Sequence, residues 1–526
     1  MPLLPRIRLH ADPTGVFVHD AILRACRQFA ERTAIVDASY PEPRRLTYAE
    51  YGDIVKRLAR GLIAAGARPG EVVAILLCNS WEFAASYHAI TLAGAIATPL
   101  NPSYRDREVR YQLEDSGAAV LITDGALVRG MDLSGLRKLR RVYTTREAAT
   151  GAEPFQNLLA PSTAALPTVQ SAADQTVAAL PYSSGTTGLP KGVMLTHSNL
   201  VSNAYQFLAP GEAATFRADD VALCALPLYH IYGLNVVLTP ILLVGATLML
   251  LPRFDPPRVL DLMARERPTF MPLVPPLVNA FCQIAAQGQF PQQQRVRYVK
   301  CGAAPLAPEL AHRFTQLTGI PVIQGYGMTE ASPVTHRGFL EAELYRPDSI
   351  GPPLAQTECR LVGEDGNDVA PGEPGELVMR GPQIMMGYWN APEATAAALR
   401  DGWYWSGDVA RADAAGFFQI VDRRKEMIKY KGFPIAPAEV EAVLLEHPAV
   451  RDCGVVGRPD TVAGEIPCAF VVLREGYADA AAESEILGFV GERLTGYKQP
   501  REMRFVNSIP RNPSGKILRR ELRSLL

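Results

Sequence analysis

Apolar positions along the first third of the chain switch repeatedly between helical and strand periods. A helical spacing over Tyr48–Gly66 precedes the unbroken apolar run Val72–Leu77. A helix over Trp81–Leu92 and a strand near Ile96–Pro99 follow. Next come a charged amphipathic helix around Arg105–Leu113 and the strand AVLIT, Ala119–Thr123. Such βα alternation predicts a mostly parallel sheet with ligands at the carboxyl ends of its strands.

Residues Ala160–Thr176 are rich in Ala, Ser, Thr and Pro and read as a surface connector. The middle resumes strand and helix patterns through CALPL, ATLMLL, TFMPLVPP, VRYVKCG and PVIQGYGMTE. From Glu358 to Asp422, ECRLV, GELVMRG and GFFQIVD are separated by turn residues, which predicts a small sheet or barrel. After Asp422 the βα rhythm restarts, with a helix over Pro437–His447, strands DCGVVG and CAFVVL, a helix over Glu483–Leu494 and the strand REMRFVN. The expected class is α/β. A large N-terminal region, 1–424, carries stacked mostly parallel sheets and a β-rich subdomain at about 355–422. A small α+β C-terminal domain, 425–526, follows.

Gly233–Leu251 holds no charge, close to the roughly 20 residues that span a bilayer. Asn235, Pro240 and Gly245 interrupt it, and a helix followed by a buried strand accounts for it without an integral membrane span. The chain's 53 basic and 54 acidic side chains give a net charge of -1, which supplies no overall field for a nucleic acid backbone. Eight cysteines without CxxC pairing read as reduced thiols of a cytoplasmic protein. The amino terminus shows no secretory pattern. A monomer or homodimer is expected.

One stretch differs in kind. YSSGTTGLPKG, Tyr182–Gly192, concentrates hydroxyls at Ser183, Ser184, Thr186 and Thr187 with Gly185, Gly188 and Lys191. Glycines let backbone N–H groups converge on phosphate oxygens, and hydroxyls and a lysine add donors. Pro190 and Gly192 flank the lysine, so this is no Walker A loop, and a surface turn would share the composition. The stretch resembles the phosphate loop of the acyl-adenylate-forming enzymes: acyl-CoA synthetases, luciferase-like proteins and peptide-synthetase adenylation domains. Within that family the chain is most similar to 4-coumarate-CoA ligase-like acid-CoA ligases, over about Thr47 to the carboxyl terminus.

Other segments carry the resemblance in family order. LPLYHIYG implies His230 beside the acid carboxylate, with Tyr232 on the pocket wall. GAAPL and GYGMTE imply an adenine site at Gly302, Ala303, Ala304, Pro305, Tyr326 and Gly327, phosphate contacts at Thr329, and magnesium at Glu330 and Thr187. Asp408 in WYWSGD and Arg423 in IVDRRKE match the ribose-holding positions; a carboxylate accepts from a diol and a guanidinium donates rigidly. The chain has only 9 lysines, and Lys191, Lys425, Lys429, Lys431 and Lys516 all fall in family motifs. Lys425 matches the hinge, Lys429 and Lys431 the face that meets coenzyme A, and Lys516 the lysine contacting carboxylate and α-phosphate. Pro513 and Gly515 suggest a turn that carries the Lys516 amine on an exposed tip.

The resemblance implies an ATP-, magnesium- and coenzyme A-dependent acid-CoA ligase with catalytic residues Lys516, His230, Thr187 and Glu330. The implied acid pocket holds Tyr232, Val236, Gly302, Gly325, Pro333 and Val334. None is cationic, which favours a hydrophobic monoacid: aryl-propenoic, other aryl, or a medium or long fatty acid. An acyl-AMP ligase that passes its acyl group to a carrier-protein phosphopantetheine would share the adenylation residues.

Overall fold

The computed structural model of the chain describes all residues except 1–14, 40–41, 168–170, 184–188, 209–215, 292, 432, 461–462, 478 and 513–514. Strand Val72–Leu76 is buried throughout, as expected where both faces of a parallel sheet are covered. It lies between Ile96–Pro99 and Val120–Thr123, both parallel to it. Strand Lys191–Thr196 closes the other side of this sheet in antiparallel pairing with Val177–Ala179 and Gly387–Tyr388.

A second sheet runs Val334–Arg337, Val322–Gly327, Tyr298–Cys301, Phe270–Leu273, Val221–Cys224, Thr247–Leu250, Thr33–Asp37, Arg44–Thr47. Its inner pairs are parallel and its two outermost pairs antiparallel. Every residue of helix Trp81–Leu92 is buried, the signature of a helix enclosed on all sides. One apolar cluster joins that helix to Val73 and Ile75 of the first sheet and Ala222, Leu248 and Phe270 of the second. The sheets are thus the two outer layers of a common core.

Glu358–Val362, Gly375–Arg380, Leu399–Arg400, Trp403–Ala412 and Phe418–Arg423 form an antiparallel sheet, which settles the choice between sheet and barrel. A fourth sheet contains Ile428–Tyr430, Phe433–Ile435, Val450–Asp460, Gly464–Leu473 and Glu502–Phe505. Its own apolar cluster includes Val440, Leu444, Val455, Val471 and Ile486, with Pro437–Glu446 and Asp479–Arg493 as its helices.

Two expectations need correction. CALPL is not a strand as a whole: the strand is Val221–Cys224, and Leu226–Leu228 already belong to the loop leaving it, where buried Asn79 accepts from the Leu228 N–H at 2.7 Å and donates to the Leu226 carbonyl at 2.7 Å. The rhythm also begins earlier than Tyr48. Helix Val18–Gln28 and strands Thr33–Asp37 and Arg44–Thr47 precede it, the two strands completing the second sheet. The uncharged run after Tyr232 is a π-helical turn Gly233–Leu238, a short helix Thr239–Leu243 and strand Thr247–Leu250. Among the described residues no helix is long and apolar enough to cross a membrane.

Candidate active site

The second sheet's parallel strands release their carboxyl ends on one side, and the site is built there. Tyr298–Cys301 runs into Gly302, Val322–Gly327 ends in Gly325–Gly327, and the chain after Val221–Cys224 carries His230 and Tyr232. The backbone N–H of Tyr232 donates to His230 Nδ1 at 3.2 Å, so the neutral ring bears its proton on Nε2. Burial pushes the His230 pKa down to about 4, which keeps the imidazole neutral at physiological pH.

Tyr232 donates its hydroxyl to the Lys300 carbonyl at 3.1 Å, which turns the ring along Gly302. A Cβ at Gly302 would lie 3.4 Å from the Gly325 carbonyl oxygen and 3.6 Å from Tyr232 Cε1. Three of the expected pocket residues therefore face one another. Val236 and Val334 are buried in the apolar cluster against which Tyr232 packs; Asn235, next to Val236, donates to the Ser332 carbonyl at 2.7 Å, and Asn203 pairs with both backbone groups of Val334. Pro333 lies between, after a cis Ser332–Pro333 peptide. Gly327 has to be glycine, because a Cβ would meet the Pro333 carbonyl at 2.0 Å. Ala303, exposed, adopts a left-handed φ of 68°, and half-buried Ala304 and exposed Pro305 follow it.

Tyr326, Asp408 and Arg423 converge. Asp408 and Arg423 are cross-strand partners in the β-rich subdomain. Tyr326 donates to Asp408 Oδ2 at 2.5 Å, and Arg423 Nε lies 3.2 Å from Asp408 Oδ1. Burial and the Asp408 carboxylate hold the Tyr326 phenol well above its ordinary pKa. Burial opposes the Arg423 charge, but Asp408, Glu426 and Glu330 outweigh it and raise its pKa.

Thr329 begins the single turn that presents Glu330. Glu330 is buried and accepts from the Tyr388 hydroxyl at 2.9 Å, and its carbonyl accepts from the Met385 N–H. Tyr388 was not among the expected residues; it sits in the short strand Gly387–Tyr388 against the lysine-bearing strand, and Lys191 Nζ is 5.7 Å from its ring centre. The only sequence sign was an aromatic pair beside a glycine in GYWN. Ser183 pairs with Lys191 at the base of the glycine-rich hairpin. Ser184, Gly185, Thr186, Thr187 and Gly188 lie outside the described residues.

Lys516 overturns one expectation. Its turn is docked, not an exposed tip: Gly515 is buried, and a Cβ there would come 2.9 Å from Pro276 Cγ and Cδ, at the start of helix Pro275–Ala286. Asn512 closes the turn, accepting from the Lys516 N–H at 2.8 Å and donating its own N–H to the Lys516 carbonyl at 2.9 Å. Burial first, and then the Arg423 charge, lower the Lys516 pKa to about 8, against partial compensation from Glu426 and Asp408. Lys425, Lys429 and Lys431 remain exposed and do not join this group. Lys431 has a φ of 49° and donates its N–H to the Ala463 carbonyl.

A buried carboxylate held between a phenol and a guanidinium can still accept from hydroxyl groups of a ligand, and the charges of Arg423 and Asp408 reach the Lys516 amine. The AMP-binding enzyme model matches residues 22–389 and the AMP-binding enzyme C-terminal domain model matches residues 439–516. The chain belongs to the AMP-binding enzyme family. It is 39% identical to 4-coumarate-CoA ligase 1 of Narcissus pseudonarcissus over 98% of this chain and 94% of that one. It is also 39% identical to a 4-coumarate-CoA ligase of Pinus taeda, covering 97% and 95%. Among solved structures, an anthranilate CoA ligase in complex with anthranoyl-AMP superposes with a TM-score of 0.89 at 28% identity, covering 98% of both chains. A benzoate CoA ligase from Burkholderia xenovorans gives 0.86 at 27%, covering 97% and 100%.

Proposed function

We propose that the acid taken by this enzyme is a hydrophobic aryl-propenoic, aryl or medium- to long-chain fatty acid, with the aryl-propenoic class favoured by the named relatives. The chain is an ATP-dependent acid-CoA ligase: it joins the acid to AMP with release of pyrophosphate and then exchanges AMP for coenzyme A. The acid would lie along Tyr232, Val236, Gly302, Gly325, Pro333 and Val334, where no cation offers a partner to a second carboxylate.

In the first half-reaction an acid oxygen attacks the α-phosphorus of ATP. Asp408 and Arg423 would hold the ribose, with Tyr326 locking the carboxylate and lying against the adenine beside Gly302–Pro305. Lys516 would neutralise charge on the attacking carboxylate and the α-phosphate, with Ser183, Lys191 and Thr329 contacting phosphate. His230, neutral and donating from Nε2, suits the acid carboxylate. Glu330 is a buried hard oxygen donor whose Oε1 is oriented by Tyr388, and it fits a magnesium ion, with Thr187 the second residue assigned to it. Magnesium bound there would offset phosphate charge.

In the second half-reaction the thiol of coenzyme A attacks the acyl carbonyl and expels AMP. Lys429 and Lys431 would face coenzyme A after the C-terminal unit, 425–526, turns about Lys425. Eight unpaired cysteines accord with a cytoplasmic, reducing setting.

The observation that supports this reading most is the docking of the Lys516 turn on the larger body, Gly515 against Pro276, where the charges of Arg423 and Asp408 act on the amine. The test is a panel of aryl-propenoic, benzoic and fatty acids with ATP and coenzyme A, scored for AMP and thioester by mass. Thioester from at least one acid class is expected. Acyl-AMP that accumulates with coenzyme A but discharges onto a phosphopantetheine carrier would favour the acyl-AMP ligase instead.

A further inference from the structure

Lys516 has a buried neighbour that the mechanism leaves without a task. Arg519 lies three residues on, opening helix Arg519–Arg523. Its Nη2 donates to both oxygens of Glu441 at 2.7 and 2.8 Å, its Nη1 is 3.2 Å from Glu426 Oε2, and its Nε donates to the Val455 carbonyl at 3.1 Å. Glu441 also accepts from the Val455 N–H at 2.7 Å. These partners belong to different pieces of the C-terminal unit. Glu426 immediately follows Lys425, Glu441 is in helix Pro437–Glu446, and Val455 is in the long edge strand Val450–Asp460.

Burial opposes the Arg519 charge, and Glu441, Asp422 and Glu426 together outweigh it. Asp422, just ahead of Lys425, meanwhile accepts from the Ala438 N–H of that same helix at 2.8 Å. Only Ile517 and Leu518 separate the clamp from Lys516, and the Leu518 N–H is fixed to the Pro510 carbonyl at 2.8 Å. A guanidinium is planar and loses little freedom per bond made, so it suits a fixed joint.

Resting on the reading of Lys516 given above, we propose that Arg519 is a positioning residue, which clamps the stem of the Lys516 turn to the segment after the hinge so that the amine reaches the nucleotide already aimed. A role as mere cement for the C-terminal unit predicts something different. That unit serves both half-reactions, so loosening it would weaken both together. Mis-aiming Lys516 weakens only the first.

The test uses the full-length enzyme with Arg519→Met, Arg519→Lys and Lys516→Ala. Pyrophosphate exchange into ATP reads the first half-reaction, and AMP release from synthetic acyl-AMP with coenzyme A reads the second. Displacement of a catalytic group by about 1 Å costs roughly 100-fold, so Arg519→Met should lose about 10- to 100-fold in exchange kcat. Its KM for ATP and its second half-reaction should stay within about threefold, and Arg519→Lys should recover part of the exchange. Equal loss in both half-reactions, or full exchange in Arg519→Met beside a dead Lys516→Ala, overturns the clamp. Exchange retained by Lys516→Ala overturns the role of Lys516 and the clamp with it.

Discussion

On the proposed reading, the larger body and the C-terminal unit would meet the nucleotide with opposite designs. In the body, Asp408 is oriented by Tyr326 and Arg423, and Glu330 by Tyr388, all on strands or turns fixed by a common core. The C-terminal unit instead offers two separate sets of lysines. The Lys516 turn is seated against the body through Gly515, whereas Lys429 and Lys431 are exposed, their backbones tied down and the Lys431 amine 5.6 Å from the Tyr430 ring centre. On that reading, what one half-reaction needs is assembled, and what the other needs is held away. The body should matter to both steps and each lysine set to one.

The sharpest way to break this division is Asp408→Asn, which keeps shape but leaves Arg423 without its strand partner's charge. Hydrogen bonds to charged groups are worth roughly 1.5–3 kcal/mol, so KM for ATP should rise about 10- to 100-fold. Activity with synthetic acyl-AMP should fall as well, since on the proposed reading Asp408 holds the ribose in both steps. Loss confined to one step, read by the same paired assays, would contradict a shared body.

A pH profile sharpens the lysine side. With its pKa lowered to about 8, the Lys516 amine is charged below that pH and neutral above it. Exchange kcat/KM should therefore fall about tenfold per unit once pH passes 8, a limb that thioester formation from acyl-AMP lacks. For stability the sign is also set. Between about 8 and the ordinary 10.5 the unfolded chain holds the proton that the folded chain has released, so this group makes stability rise with pH across that window. The smallest effect belongs to Lys431→Ala. An exposed point charge contributes up to about 1 kcal/mol, so KM for coenzyme A should rise no more than about fivefold with exchange unchanged.

Most of the architecture was legible because it rests on period. Val72–Leu76 is apolar at every position and Trp81–Leu92 carries little polarity, patterns that only a doubly covered sheet and an enclosed helix satisfy. The first two strands were not: Arg44–Thr47 is a polar edge strand, and Thr33–Asp37 finds its partner Thr247–Leu250 more than 200 residues away. The motifs named Asp408, Arg423 and Tyr326, but not the bonds that make one group of them. Tyr388 and Arg519 stayed hidden for a related reason. An arginine in a chain with 53 basic side chains gives no sign of burial until the carboxylates from distant segments close around it.

Gly515 turns the meeting of tail and body into a depth stop made of main chain. With φ at 84° and the proline ring of residue 276 where a methyl would go, the tip can sink until backbone touches ring and no further. The reach of the amine is then gauged by two stiff parts, so a single added carbon at that point would lift the whole lever while leaving every charge in place.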